Sequence, residues 1–466
     1  MICEKAKNNN NLEQAESVFG EIFGEKPNTA IQPYKTRRTY RRIFTPLILI
    51  WCMIFQRLNP DHRCDAVVSK LMSGDFDHIE NEPHKARLSQ RCLSESSAGY
   101  CKARKRLPIE TIERAMQHTV QYAQSIPTRA MEWLDRKVYL LDGSTLLLRP
   151  TSELVRAYGQ HKTAKKIAYW VVIRIVCLFC LQSGVVASVK EGPLRKSEQV
   201  LAVDCLSVLS PGDICVGDRG FGVFSMVQAV RHYQGEVLFR LTRLRARKLF
   251  KNQLYPGNDI SVVWSPSKKD KLNPGMSSDP IAGRLIYIRL EQPGFRSQDL
   301  YLFTTLLDRD VYTRQRLIQL YGLRWHVELD LRYVKQTLDL KLLEGKSVDV
   351  VRKELLAGMI AYNLVRLFML ASANQNGCSV LSLSFSMCLR RVSNFLFREW
   401  PNGSHGKACF HTLLTRLSKC KLPNRPKPRI EPRWVRPKDK SFPEFWQPRP
   451  QARTKFILHR LSLAVS

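Results

Sequence analysis

The chain predicts a mixed α/β fold with a helical N-terminal region, a strand-rich centre, and a basic, proline-rich C-terminal arm. Three observations carry that reading. Apolar residues recur at helical spacing until about residue 125, short apolar runs closed by turn residues take over at Lys137, and an amphipathic helix then carries Tyr321, Arg324, Glu328 and Lys335. At 466 residues and 44% hydrophobic, the chain is long enough for a large core and two or three domains.

The first element is a helix through Leu12, Ala15, Phe19, Ile22 and Phe23, and the helical region, residues 1–125, closes with the segment opening at Ile109. Two basic clusters mark it. Tyr34 to Arg42 interleaves aromatics with cations, and Tyr100-Cys-Lys-Ala-Arg-Lys-Arg106 precedes Leu107-Pro108, where a helix stops. DNA-backbone contact through Arg41, Arg104 and Arg106 competes there with a plain solvated face. From Lys137 to Asp142, Val171 to Leu181 and Val185 to Val189 the pattern is strand-like, with Gln182-Ser-Gly184 as a turn. A helical stretch from Ser197 to Leu209 and the turn Pro211-Gly212 deliver the chain into Ile214-Cys-Val-Gly-Asp218. The first and last of these strands are expected to end in an aspartate, where ligands of α/β sheets gather.

Residues 240–299 alternate strand-like segments (Val237 to Leu241, Ile260 to Trp264, Arg284 to Leu290) with polar turns and read as a β-rich insertion. It opens on Arg240-Leu-Thr-Arg-Leu-Arg-Ala-Arg-Lys248, a basic run with no acid. The insertion divides the strand-rich core into 126–239 and 300–375. Leu300 to Leu306 returns to that core, and Asp310 or Thr313 would cap the helix that follows. Residues 376–466 complete the chain with a helical segment and an arm, Lys421 to Ser466, rich in Pro, Lys and Arg. There is no internal repeat.

Composition narrows the partners. Lys plus Arg number 74 against 41 Asp plus Glu, a formal charge of +33 and a pI near 9.9, so a polyanion is the expected ligand. Charge alone also admits RNA, acidic lipid or a ribosome. The 13 cysteines are scattered and no secretory leader precedes them, which fits a reducing cytoplasm. Cys177 and Cys180 sit three apart on a predicted strand, so their side chains face opposite ways and cannot chelate one ion. Phe44 to Phe55 is too short to span a bilayer and Leu355 to Leu370 is interrupted by Asn363 and Arg366; both read as core helices, with no membrane partner.

The most specific pattern is Y-x2-R-x3-E-x6-K. At 100° per residue Tyr321, Arg324, Glu328 and Lys335 fall within an arc of about 60°. Beside it Leu323, Val327, Leu331, Val334 and Leu338 form an apolar stripe that would seat the helix on a core. An ion pair of Arg324 or Lys335 with Glu328 is the plain alternative to a functional role.

With Leu-Asp142-Gly-Ser-Thr, Gly217-Asp218-Arg-Gly-Phe221, Ser96 to Pro108 and the Arg-Pro-rich tail, this signature makes the chain resemble a DDE transposase of the bacterial insertion-sequence-four family. The resemblance implies an RNase H-like catalytic core in which the two Asp strands are neighbours and the Glu helix packs against them. It implies Asp142, Asp218 and Glu328 as the catalytic, metal-holding triad for two Mg²⁺ ions, with Mn²⁺ able to substitute. Such ions about 3.5–4 Å apart would activate water or a 3′-hydroxyl and stabilise the leaving oxyanion. Tyr321, Arg324 and Lys335 would clamp phosphates, and Trp264 would stack a flipped base. The implied partners are double-stranded DNA, as terminal inverted repeats and target, and a second protomer in a synaptic dimer. The expected activity is cut-and-paste transposition through a hairpin. Its rivals are a metal-dependent nuclease without strand transfer and a retired transposase that only binds DNA.

Overall fold

The computed structural model describes residues 43–79, 86–126, 133–161, 168–251, 253–271, 279–290, 298–399 and 406–423, with isolated positions near residue 455. The expected helix from Leu12 to Phe23, the cluster holding Arg41, and nearly all of the C-terminal arm lie outside the described residues.

Among the described residues the chain opens with the helices α1 (Pro46–Leu58), α2 (Cys64–Met72), α3 (Leu88–Arg91), α4 (Ala98–Arg106) and α5 (Ile109–Ser125). Thr45 caps α1 by accepting from the Ile48 N–H, and Pro46 occupies the first turn, where no N–H is needed. Then come β1 (Val138–Leu148), α6 (Ser152–Tyr158), β2 (Val171–Cys180), β3 (Val186–Pro193), α7 (Glu198–Cys205), β4 (Ile214–Gly217), α8 (Phe224–His232), β5 (Glu236–Leu241), α9 (Arg243–Leu249), β6 (Asp259–Trp264), α10 (Lys268–Lys271), β7 (Ile281–Leu290) and β8 (Gln298–Thr304). The signature region gives α11 (Arg314–Gly322), α12 (Trp325–Arg332) and a π turn (Tyr333–Thr337). β9 (Leu342–Leu343), α13 (Val348–Gln375), α14 (Phe385–Asn394) and α15 (Gly406–Ser418) follow.

All nine strands join one mixed sheet, ordered β3-β2-β1-β4-β5-β8-β7-β6 with β9 beside β1. β1, β4 and β5 are parallel neighbours, with antiparallel strands on both flanks. The β-rich stretch therefore widens the central sheet: β8 pairs with β5, and β7 and β6 continue outward. The basic run at its start is helical instead, α9, capped by Thr242. α13, the core helix expected around Leu355 to Leu370, packs against α1, α5, α14 and α15. It is long and apolar enough to cross a membrane by length and composition, yet most of it is buried inside the protein.

β1 corrects one expectation. It runs through Asp142 to Leu148, because residues 143–148 stay paired with β2. What stops at Asp142 is the other edge: Val138–Leu141 pair with β4, Leu147 and Leu148 pair with β9, and residues 142–146 have no strand partner on that side. The gap in the sheet frames the site.

Candidate active site

Two carboxylates sit at the mouth of this gap. Leu141 and Gly217 are the last paired residues of parallel β1 and β4, so Asp142 and Asp218 leave neighbouring strands at the same level. Each accepts a nearby backbone amide: Asp142 Oδ1 takes the Gly143 N–H of its own strand at 2.8 Å, and Asp218 Oδ1 the Gly220 N–H of the loop after β4 at 2.7 Å. Gln199 holds the Gly220 carbonyl at 2.7 Å and Arg245 the Arg219 carbonyl at 3.0 Å. A Cβ at 143 would lie 2.6 Å from the end of the Glu198 side chain, which α7 brings to this position, so a larger residue there would push that side chain aside.

The signature segment closes over the same edge. Thr313 caps it by accepting the Arg316 N–H, and Val327, Leu331, Val334 and Leu338 of the expected stripe are buried. Its geometry differs from one continuous helix. At Leu323-Arg324 the backbone tightens to three-residue hydrogen bonds (Arg324 to Tyr321, His326 to Leu323, Val327 to Arg324), and from Tyr333 it loosens into the π turn. Tighter turns rotate side chains by more than 100° per residue and looser ones by less. The four signature residues consequently split. Arg324 lies over the Tyr321 ring at 5.9 Å and binds Glu328 at 2.8 Å, while Lys335 donates to Ser144 Oγ at 3.0 Å, two residues beyond Asp142. The ion pair with Glu328 is thus formed by Arg324 and not by Lys335.

The electrostatics tie these groups together. Burial pushes the Asp142 carboxyl up to about 6 against the pull of the Gly143 amide, with Asp218 and Glu328 adding to the rise and Arg324 opposing it. Burial also works against the Arg324 charge, but Glu328, Tyr321 and Asp142 hold its pKa above the ordinary value. Burial lowers Lys335, with Lys341 adding to the effect, and raises Tyr321 against the nearby Arg324 and Arg240.

α12 is fastened from behind. Two residues past Glu328, buried Asp330 pairs with the buried Arg366 of α13. Arg366 also donates to Tyr362 Oη at 2.8 Å and is enclosed by the rings of Tyr333, Tyr362 and Phe385 at 5.3–5.8 Å. Tyr362 in turn donates to the Gly184 carbonyl at 3.0 Å. The chain thus reaches from the signature segment to the β2–β3 turn.

Other expected contact residues fall elsewhere. Arg104 is turned inward, 9% exposed, with its guanidinium 5.0 Å from the Tyr100 ring and 3.4 Å from Cys64 Sγ. Lys102, Lys105 and Arg106 of the same helix are exposed. Trp264 packs edge-on against Phe303 at 4.9 Å and Phe224 at 6.2 Å, on the sheet-edge strand four places from β4. Sequence reasoning passed over Trp325, half exposed directly after Arg324, and Arg240, on the strand beside β4. Adjacency to Arg324 was the available signal for Trp325; Arg240 needed the strand order.

Asp142, Asp218 and Glu328 supply hard oxygen donors, and the two aspartates each keep one oxygen clear of the backbone amides that bind the other. Their chemistry fits divalent cations. In this conformation Glu328 is turned onto Arg324, and among the described residues no trio of His, Cys, Asp or Glu is gathered closely enough to hold an ion.

A family profile described as Transposase DDE domain matches residues 133–364, which include all three carboxylates. The transposase InsG for insertion sequence element IS4 of Escherichia coli (strain K12) is 24% identical over 368 residues, covering 77% of this chain and 78% of that protein. Among solved structures, a piggyBac transposase in a synaptic complex with hairpin DNA covers 89% of this chain and 86% of its own at 10% identity and a TM-score of 0.43. The chain is a DDE transposase, an enzyme that cleaves DNA phosphodiesters and transfers strands with the help of divalent metal ions. Within that class it belongs to the insertion-sequence-four family.

Proposed function

We propose that this transposase moves its element by cut-and-paste through a hairpin, with Asp142, Asp218 and Glu328 holding Mg²⁺ in an RNase H-like core. The observation that carries the reading is the gap in the β1 edge, where Asp142 and Asp218 leave neighbouring strands, Lys335 binds Ser144, and the charges of Asp218 and Glu328 are both felt at the Asp142 carboxyl. When bound, the cations supply an activated oxygen nucleophile and neutralise the leaving oxyanion. The chain's own residues do the rest. Arg324 offers a planar fork and Lys335 a point charge to phosphates at the gap, Tyr321 braces Arg324, and the exposed Trp325 replaces Trp264 as the surface on which an unpaired base stacks. Two protomers pair two inverted-repeat ends in the bacterial cytoplasm before joining them to target DNA.

A single triad acts on both strands, and a 3′-hydroxyl retained at the first cut is a nucleophile of very high effective concentration. Attack on the opposite strand is therefore favoured over a second hydrolysis. The test is a time course with Mg²⁺ and linear DNA bearing the inverted repeat that borders the gene. Denaturing gels are expected to show a nick, then a hairpin, then an opened end. Cleavage of both strands with no hairpin at any time would instead make the protein a hydrolytic nuclease.

A further inference from the structure

The basic run that sequence reading assigned to the start of a β-rich stretch forms α9, whose exposed face the proposed mechanism does not use. α9 starts just after β5, whose carboxyl end lies beside that of β4, so it emerges at the same end of the sheet as Asp218. Two contacts fix it there. Ala246 is fully buried, and Arg245 reaches back to the carbonyl of Arg219, the residue after Asp218. At 100° per residue, Leu244 and Lys248 then point almost directly away from the buried Ala246 side, with Arg247 about 60° and Arg243 about 100° round from Leu244 on the side away from Lys248.

The exposed face is unusual in composition. Leu244 is 73% exposed, and Arg243, Arg247 and Lys248 around it are exposed as well. No acidic residue lies on the helix, and none of the ion pairs found among the described residues involves these three cations. A lone exposed leucine is ordinary on a protein surface. This one stands at the tip of a cationic ridge anchored to the loop of a catalytic aspartate. Polyanions satisfy the cations of such a ridge, and an apolar side chain at its tip is the type that enters and unstacks a base step.

We infer that α9 is a DNA-opening wedge: Leu244 inserts at a base step beside the cleavage point while Arg243, Arg247 and Lys248 hold the phosphates on either side. The inference rests on the transposase reading for the position of the DNA. Its chemistry is that of duplex DNA at a cleavage junction, where a strand must leave the stack to reach the carboxylates.

The experiment uses the full chain and a duplex carrying the bordering inverted repeat with flanking DNA, substituted with 2-aminopurine at successive positions around the junction. Wild-type protein is expected to raise fluorescence at one step. Leu244→Ala is expected to cut that rise by about fivefold while gel-shift affinity stays within about twofold, and Leu244→Phe to retain it. Arg243→Ala, Arg247→Ala and Lys248→Ala should each lower the salt slope of binding by about one. An unchanged rise in Leu244→Ala overturns the wedge. So does a loss of self-association in that variant, by light scattering, with fluorescence intact, since the face would then be a protein interface. Strand cleavage by wild type, scored on the same duplex, separates the two ideas. Cleavage with a Leu244-independent signal sinks the wedge alone, and a Leu244-dependent signal without cleavage sinks the transposase mechanism alone.

Discussion

The strand-borne and helix-borne carboxylates of the site are held in different ways. Asp142 and Asp218 each accept a nearby backbone amide on or just after strands locked by neighbours, with Gln199 and Arg245 bracing the Asp218 loop. Glu328 is held by a side chain, Arg324, at a place where the helix tightens, and its helix is tied to the core through the Asp330–Arg366 pair. The lesson is a division of labour. Two carboxylates are preset by the sheet and the third is held by a side chain, so under the proposed function Arg324 would have to choose between Glu328 and a phosphate.

Removing charge from either region tests whether the two act as one triad. Asp142→Asn, Asp218→Asn and Glu328→Gln are each expected to abolish cleavage of end DNA while gel-shift binding persists, because the amides keep shape and lose the charge that holds metal. Substantial cutting by one variant would remove that residue from the triad. The fastening of the helix-borne region comes next in size. Asp330→Ala leaves the Arg366 guanidinium buried without its carboxylate, a defect worth about 3–5 kcal/mol, read as a fall in urea-unfolding stability. An unchanged midpoint would show that the tyrosines alone hold Arg366.

The preset region has a pH signature. Folding raises Asp142 to about 6 from 3.8, so the folded state favours its proton. Below about pH 4 the group is neutral in both folded and unfolded chains and imposes no penalty; above about 6 it is ionised in both, and the burial cost is fully present. Asp142→Asn in chelator should therefore stabilise the protein by on the order of 2–3 kcal/mol at pH 8, shrinking to nothing near pH 4. Equal stabilisation at both pH values would assign the gain to something other than ionisation. The smallest effect belongs to the helix-borne region. Arg324→Ala and Lys335→Ala should weaken DNA binding and each lower the salt slope by about one unit, and an unchanged slope for Arg324→Ala would make its pairing with Glu328 purely structural.

By itself the sequence singled out the candidate residues for the chemistry and where most elements begin. Asp142, Asp218 and Glu328 stand out by residue type and neighbours, Thr313 and Ser197 cap the helices they announce, and alternating apolar runs mark the strands. Those features are local, set by backbone periodicity and side-chain hydrogen bonding within a few residues. What only tertiary structure decided is where side chains point and which edges pair. The sequence predicts a strand that ends at Asp142, yet pairing with β2 keeps Gly143-Ser-Thr145 extended and places Ser144 within reach of Lys335. Arg104 and Arg106 look equivalent in a basic run, but the packing of α4 turns one inward against Tyr100 and leaves the other in solvent. Trp264 lies in a strand the sequence marks correctly, while its packing against Phe303 and Phe224 depends on β6 joining the main sheet through β7 and β8. Each outcome rests on contacts between segments far apart in the chain, which no local pattern encodes.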